Sequence, residues 1–234
     1  MLLLSTDTSG KSGSVALARD NSAGACEVIE VVALAGGTFS TQLVPQIAAL
    51  LDKHGFAKRD IDAFAVASGP GSFTGLRIGL AAIKALAEIL EKPIAPVSLL
   101  EAVAVSAKMQ GRVVAVLDAG RGELYCGDYE VTSNSAEIRT ERLLKPEDVF
   151  AEVREAQARN ADEPKWTMAT SDQALAGAAQ SAGLRVVVVE PVDAGTIARL
   201  GFRKIQAGQT VSPEHLEANY IRRTDAEILA KVSP

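Results

Sequence analysis

The segment of residues 69–79, GPGSFTGLRIG, constrains the fold of this chain more than any other. It lies between two apolar runs, residues 61–68 and 78–90. The first run is short and β-branched, which predicts a buried strand, and the second has apolar residues at the spacing of one helix face. A strand, a glycine-rich turn and a helix in this order aim backbone N–H groups and a helix N-terminus at an anion.

Two interpretations of the glycines stay open from their spacing. No Gly-Lys-Ser/Thr follows them, and a G-x-G-x-x-G pattern is met only in part, by Gly69, Gly71 and then Thr74. The segment either cradles an anion or permits a tight turn with close packing of the helix on the sheet. In the second case it is a connector that sets the following helix at a fixed angle to the sheet.

Composition narrows the classes of protein that the chain can represent. Its 234 residues, 47% of them apolar, suffice for a sizeable core in two small domains. No apolar stretch approaches the length of a membrane span, and Asp7 interrupts the first apolar run too early for a signal peptide, so we expect a cytoplasmic protein without membrane contact. A net charge of −5 argues against an extended nucleic-acid footprint.

Residues 112–129 repeat the pattern of the N-terminus, each with an apolar strand, an aspartate, a glycine-bearing turn and a second alternating strand. Asp7 and Asp118 occupy matching places. A repeat at half-chain spacing predicts two duplicated α/β lobes.

The predicted domain boundaries follow from this repeat. We expect a first lobe over residues 1–97, a second and degenerate lobe over 98–210, and a tail over 211–234 that packs back on the first lobe. The cysteines, Cys26 and Cys126, lack a C-x-x-C partner and are expected to be buried thiols.

Several motifs together resemble the bacterial TsaB family, also called YeaZ. They are Asp7-Thr8 after an apolar strand, Ser40-Thr41-Gln42 before a helix with Pro45, the glycine segment, Asp118-Ala119 with Gly122-Glu123-Leu124-Tyr125, and Asn219-Tyr220-Ile221-Arg222. The likeness is strong over residues 1–129 and weak through the second lobe. The plan of two lobes, each with a mixed sheet flanked by helices, is similar to the actin-like ATPase and sugar-kinase (ASKHA) superfamily, in which a ligand binds between the lobes.

The resemblance implies a function in tRNA modification. A TsaB protein is an essential, non-catalytic subunit that supports its paralogue TsaD in transferring threonylcarbamoyl to the adenosine next to the anticodon. The implied partners are TsaD in a heterodimer, the ATPase TsaE, and a second copy in isolation, with tRNA contacted only through the complex. No cofactor of its own is implied, although ATP or ADP at the interface with the partner fits the fold.

The resemblance also implies two sets of site residues. Helices over residues 40–54 and 76–90 are rich in small apolar side chains, which suits either burial against the sheet or packing on a second subunit; in the family they form the partner interface. The implied interface residues are Thr41, Leu43, Val44, Ile47, Leu50, Leu51, Phe73, Ile78, Ala81, Ala82 and Ala85. The nucleotide or anion contacts are Asp7, Thr8, Gly69, Gly71, Ser72 and Thr74.

Catalysis by this chain is not expected, because metal ligands are missing. The transferring paralogue holds a metal with an H-x-x-x-H motif, and Leu99 and Val103 stand at the matching positions here. Only His54 and His215 exist in the chain, too far apart in sequence for such a motif. We therefore predict no catalytic residue and no metal site.

Two enzymatic alternatives remain. An ATP-dependent small-molecule kinase of the same superfamily would use Asp7 and Asp118 to hold a magnesium–nucleotide complex, but for Asp118 we favour a turn former that bonds its own backbone. Relatives read Asp-Ala-Arg at this point, whereas this chain has Gly120 before Arg121. A metalloprotease of the glycoprotease type is the more distant alternative.

Overall fold

The computed structural model describes residues 1–35, 37–132, 135–159 and 166–222, which form two compact units. Of the described residues, the first unit comprises Met1–Ala102 and Pro191–Ala218, and the second comprises those of Val103–Glu190 and residues 219–222. In chain order the elements are β1 (Leu2–Asp7), β2 (Gly13–Asp20), β3 (Cys26–Leu34), α1 (Phe39–Lys53), β4 (Ala63–Gly69), α2 (Phe73–Leu90), β5 (Ile94–Ser98), α3 (Leu99–Ser106), β6 (Gly111–Gly120), β7 (Glu123–Val131), β8 (Ala136–Leu144), α4 (Pro146–Arg159), β9 (Thr167–Thr170), α5 (Gln173–Ser181), β10 (Val186–Val188) and α6 (Ala194–Gln206).

The sheet of the first unit is mixed, with the strand order β3-β2-β1-β4-β5. β1, β2 and β3 form an antiparallel meander, and β4 and β5 join in parallel on the other side of β1. Alternate side chains of a strand point to opposite faces. Leu4 and Phe64 therefore belong to the core beneath α1 and α2, whereas Ser5 and Ala65 face α6.

The second unit repeats this topology. Its strand order is β10-β9-β6-β7-β8, with β6, β7 and β8 in an antiparallel meander and β9 and β10 in parallel beyond β6. A core that includes Val116 and Met168 packs against Val153 of α4 and Ala179 of α5. The two sheets thus match strand for strand, and the predicted duplicated α/β fold is confirmed.

The predicted boundary at residue 210 is wrong, because α6 packs on the first sheet. Ser5 Oγ donates to Ala194 O at 2.7 Å, and Ala194 N donates to Ser14 Oγ at 2.8 Å. A Cβ on Gly201 would lie 2.3 Å from Ala65 Cβ, so only a glycine allows α6 to approach β4 this closely. The helix after the second lobe therefore completes the first one.

The predicted tail divides between the two units. The backbone N–H groups of Val211 and Ile94 each donate to the carbonyl oxygen of the other residue, and Leu216 is buried in the core of the first unit. The first part of the tail therefore packs back on the first unit, as expected. Asn219 then bonds Glu141, and Arg222 Nη1 donates to Ala119 O at 2.9 Å in the second unit. The prediction for residues 223–234 lies outside the described residues. None of the helices described is long and apolar enough to cross a bilayer.

A buried hydroxyl on β1 gives a first prediction. Among the described residues, Thr6 Oγ1 is the buried side-chain polar atom without a hydrogen-bond partner. Leaving such a group unsatisfied costs about 1–3 kcal/mol. We expect Thr6→Val to raise the free energy of unfolding by about 1 kcal/mol, measured as a higher urea midpoint at unchanged slope.

The neighbouring threonine is the matched control for this prediction. Thr8 Oγ1 donates to Gly75 O at 2.7 Å, so Thr8→Val should lower the midpoint. A Thr6→Val protein less stable than the wild type would contradict the prediction.

Candidate functional site

The glycine segment is a short connection followed directly by a helix. β4 ends at Gly69, whose φ of +117° favours glycine, and α2 begins at Phe73. The peptide bond between Gly69 and Pro70 is cis. Ser72 caps α2, since its Oγ accepts a hydrogen bond from Gly75 N at 3.3 Å. Most of the predicted loop is therefore the first two turns of a helix.

The turn between β1 and β2 lies directly against these first turns of α2. A Cβ on Gly71 would lie 2.6 Å from Ser9 O, and one on Gly75 would lie 2.0 Å from Thr8 O. A Cβ on Gly79 would lie 2.4 Å from Thr8 Oγ1. Gly75 and Gly79 lie four residues apart on one face of α2, and Gly71 precedes the helix, next to its cap. We call this contact the glycine interlock: Thr8 and Ser9 against Gly71, Gly75 and Gly79.

Hydrogen bonds connect the same parts. Ser72 N donates to Ser9 O at 2.7 Å, and Thr8 Oγ1 donates to Gly75 O at 2.7 Å. Asp7 Oδ1 accepts from Ser9 N at 2.9 Å and from Ser9 Oγ at 2.5 Å. Polar atoms of Asp7, Thr8 and Ser72, three residues of the predicted anion set, thus bond Ser9 and Gly75. Of the two interpretations of the glycines, the geometry bears out the connector with close packing.

The remaining residues of the predicted anion set lie at different depths. Gly69 is buried at the end of β4, Gly71 is half-buried under Ser9, and Thr74 is exposed on the first turn of α2. Asp7 is only 5% exposed, and this burial raises the pKa of its carboxyl. The Ser9 hydrogen bonds lower that pKa and the nearby Asp193 carboxylate raises it further.

Asp118 makes the corresponding turn in the second unit. Its Oδ1 accepts from Gly120 N at 2.8 Å, two residues on, and the side chain is exposed. The interpretation of Asp118 as a turn former is confirmed. Gly120, Arg121 and Gly122 all have positive φ, and the glycine at position 120 fits a left-handed backbone better than an arginine would.

The predicted interface residues fall into two groups. Thr41, Val44, Phe73, Ala81 and Ala85 are exposed, and Ile78 and Ala82 are half-buried. In contrast, Leu43, Ile47, Leu50 and Leu51 are at most 3% exposed and pack in the core beneath α1. Their assignment to a partner interface is wrong, because a side chain inside the core cannot reach a partner while the unit stays folded.

An exposed ridge runs along α2. It consists of Phe73, Arg77, Ala81, Ala85 and Ile89, which recur at every fourth position and are all exposed. The Arg77 guanidinium lies over the Phe73 ring at 3.7 Å from its centroid, and Ile89 is 79% exposed. Arg77 and Ile89 were absent from the predicted set. Both residues lie a multiple of four positions after Phe73, and this spacing is the sequence signal from which they could be predicted.

The positions corresponding to metal ligands are apolar and buried. Leu99 and Val103 lie on α3 with at most 7% exposure. His54 Nε2 bonds Glu30 Oε2, and His215 Nδ1 bonds Ser212 Oγ, each at 2.8 Å. Within the described ranges, no group of three or more histidine, cysteine or acidic side chains is placed to hold a metal ion.

Comparisons with known proteins agree on one family. The family model described as "TsaD: tRNA N6-adenosine threonylcarbamoyltransferase" matches residues 33–189. The Escherichia coli K12 "tRNA threonylcarbamoyladenosine biosynthesis protein TsaB" is 32% identical over 97% of this chain and 96% of its own length. The Bacillus subtilis protein of the same name is 34% identical over 56% of each chain. "YeaZ from Pseudomonas aeruginosa" superimposes with a TM-score of 0.70 at 27% identity, over 93% of this chain and 100% of that one.

The glycine interlock can be tested by adding one methyl group. In Gly75→Ala the new Cβ meets a backbone oxygen, which cannot move aside as a side chain can. We expect the free energy of unfolding to fall by about 2–3 kcal/mol, measured by urea denaturation. Gly177→Ala on α5 is the control, since nothing lies within 4 Å of its Cβ; it should be neutral or stabilising by up to about 1 kcal/mol. Equal stability of Gly75→Ala and the wild type would contradict the close contact.

The correction to α1 is tested by two acidic substitutions on one helix. Ile47 is 3% exposed and Val44 is 53% exposed. Ile47→Asp buries an unpaired charge and should unfold the first unit or destabilise it by more than about 3 kcal/mol. Val44→Asp should keep the wild-type circular dichroism spectrum. Its free energy of unfolding, measured by urea denaturation, should differ from that of the wild type by less than about 0.5 kcal/mol. If Val44→Asp destabilised the protein more than Ile47→Asp, the placement of Ile47 in the core would be contradicted.

Proposed function

This chain belongs to the TsaB family of tRNA threonylcarbamoyladenosine biosynthesis proteins, and we propose that it serves there as the non-catalytic subunit that docks on the transferase TsaD. The observation that carries this proposal is the exposed ridge of α2. Phe73, Ile89 and, on the neighbouring helix α1, Val44 expose 37%, 79% and 53% of their surface. Large apolar side chains that are exposed on two neighbouring helices suit a protein interaction site.

The shape of the ridge suits a partner helix. Ala81 and Ala85 form its centre, where the absence of long side chains permits close backbone approach, and larger side chains stand at both ends. Ridges formed at intervals of four residues pack into the grooves of another helix, most often at about −50°. The ridge therefore favours a helix crossing over Ala81 and Ala85.

The match to the transferase family model supports TsaD as the protein that supplies the partner helix. The matched residues, 33–189, include both α1 and α2. A transferase with the same pair of helices would offer a similar surface, and two similar surfaces can pair around a pseudo-twofold axis. By the same argument a second copy of this chain would compete with TsaD for the ridge.

The chemistry of the site supports docking over catalysis. The side chains at the metal-ligand positions, Leu99 and Val103, are hydrocarbon, and the polar groups of Thr8 and Ser72 are engaged within the glycine interlock. The proposal leaves the transfer step to TsaD and gives this chain the task of stabilising the competent conformation of TsaD by differential binding.

The wider assembly follows from the same proposal. TsaE would bind the complex as its ATPase, and tRNA would be contacted mainly by the other subunits, in agreement with the net charge of −5 of this chain. ATP or ADP would bind at the interface with the partner rather than to this chain alone. A cytoplasmic location is part of the proposal.

Reconstitution tests the proposed function. Threonylcarbamoylation is reconstituted with TsaD, TsaE and unmodified tRNA, with and without this chain, and modified adenosine is quantified. We expect modification to depend on the chain. Ala85→Glu should weaken association with TsaD by more than about 100-fold, because it places an unpaired carboxylate in the centre of the docking surface.

Ala178→Glu is the matched control, since Ala178 is an exposed alanine in the middle of α5. It should leave association and modification at the wild-type level. The proposal is wrong if modification proceeds equally without the chain, and the docking surface is wrong if Ala85→Glu co-elutes with TsaD as the wild type does.

A further inference from the structure

We propose that Asp7 is a positioning residue for α2: it holds the turn of Thr8 and Ser9 in the shape that fixes α2, and so aligns the docking ridge. The consequence for partner binding rests on the proposed function, whereas the effect on α2 itself does not. Neither the duplicated fold nor the family membership assigns this role to the aspartate.

The first step is the shape of the turn. Asp7 is the last residue of β1, and its Oδ1 accepts hydrogen bonds from both the backbone N and the side-chain Oγ of Ser9. Such a bond to the backbone two residues on defines an Asx turn, which replaces a backbone hydrogen bond by a side-chain one. Removing Oδ1 of Asp7 would remove both of these hydrogen bonds to Ser9.

The second step is the contact that the shaped turn makes. Ser9 O accepts from Ser72 N, and Thr8 Oγ1 donates to Gly75 O, each at 2.7 Å. Both bonds, together with the close approach to the three glycines, depend on the positions of Thr8 and Ser9. The carboxylate therefore acts on α2 through the turn, and its effect is concentrated in the first two helical turns.

The third step relates this contact to the ridge. Within α2, Gly75 and Gly79 face the turn, and Arg77 and Ala81 each follow two residues later. At about 100° per residue, two residues correspond to about 200° around the helix axis. The turn thus contacts one face of this helical segment, and the ridge residues lie on the opposite face. A shift of the turn would displace the ridge directly.

The fourth step concerns which property of Asp7 matters. Burial opposes ionisation of its carboxyl, the nearby Asp193 opposes it further, and only the Ser9 bonds favour the charged form. Asp193 in turn caps α6, with its Oδ1 accepting from Thr196 N at 2.7 Å. A neutral side chain with an oxygen at the Oδ1 position can accept both Ser9 bonds. The role requires an acceptor of this shape and not a charge.

The test compares Asp7→Ala, Asp7→Asn and Thr8→Val in the full chain. Backbone amide exchange over residues 73–80 reports on α2, and the dissociation constant of the complex with TsaD reports on docking. Loss of the two Ser9 hydrogen bonds should speed exchange in Asp7→Ala about tenfold and weaken docking about five- to tenfold. Asp7→Asn should stay within about twofold of the wild type in both measurements, because the acceptor is kept.

Asp118→Ala is the matched control. Asp118 makes the same bond to the residue two positions on, but it does so in the second unit. This variant should leave exchange in α2 and the dissociation constant unchanged. If Asp7→Ala does not fold, Asp7→Asn decides: exchange over residues 73–80 within about twofold of the wild type supports the acceptor role, and faster exchange contradicts it.

Three results would overturn the inference. Wild-type exchange over residues 73–80 in a folded Asp7→Ala protein means that Asp7 does not hold α2. Faster exchange with unchanged docking means that the position of α2 does not set the ridge. Asp7→Asn as impaired as Asp7→Ala means that the charge is required and that Asp7 binds a cation or another ligand. Failure of the wild-type chain to bind TsaD would instead contradict the proposed function, and exchange in the free chain would still show whether Asp7 holds α2.

Discussion

The contact between the Thr8–Ser9 turn and the glycine face of α2 is the interaction on which the rest of the first unit depends. It connects the end of β1 to the helix that leaves the neighbouring strand β4, and each of its parts requires a specific residue type. Glycines at every fourth position let backbone meet backbone, a serine caps the helix, and an aspartate shapes the turn. The close contact favours the connector interpretation of the segment, because Ser72 N donates to Ser9 O and Thr8 Oγ1 donates to Gly75 O, whereas the binding of an anion by the segment stays a prediction.

The hairpin turn after β1 and its counterpart after β6 make different contacts in the two units. Both meanders begin with a strand that ends near an aspartate, and both aspartates accept a hydrogen bond from the residue two positions on. In the first unit the turn is held against a helix. In the second, the arginine near the end of the described chain holds it, with Arg222 bonding Ala119 O and Gly120 O and pairing with Glu123 at 2.6 Å. The first arrangement stiffens the proposed docking surface, and the second fixes the C-terminal segment.

The strands and their duplication could be predicted from the sequence because alternation of apolar side chains is a local signal. The start of α2 could not, since Gly75 and Gly79 disfavour a helix by intrinsic propensity and only the packed turn compensates for this cost. β8 escaped prediction because it is an edge strand with several exposed charges. The core face of α1 could be predicted, because Leu43, Ile47, Leu50 and Leu51 have the spacing of one apolar helix face. The position of α6 on the first sheet could not, because it depends on contacts between residues far apart in sequence.

The central claim is that α2 presents a ridge to TsaD on a helix whose back is fixed by the turn. A structure of this chain bound to TsaD tests it most directly. The account predicts that Ala81 and Ala85 are covered by a helix of TsaD, and that the bond from Thr8 Oγ1 to Gly75 O is kept. A complex in which TsaD contacts only the second unit, with the ridge exposed to solvent, would contradict it.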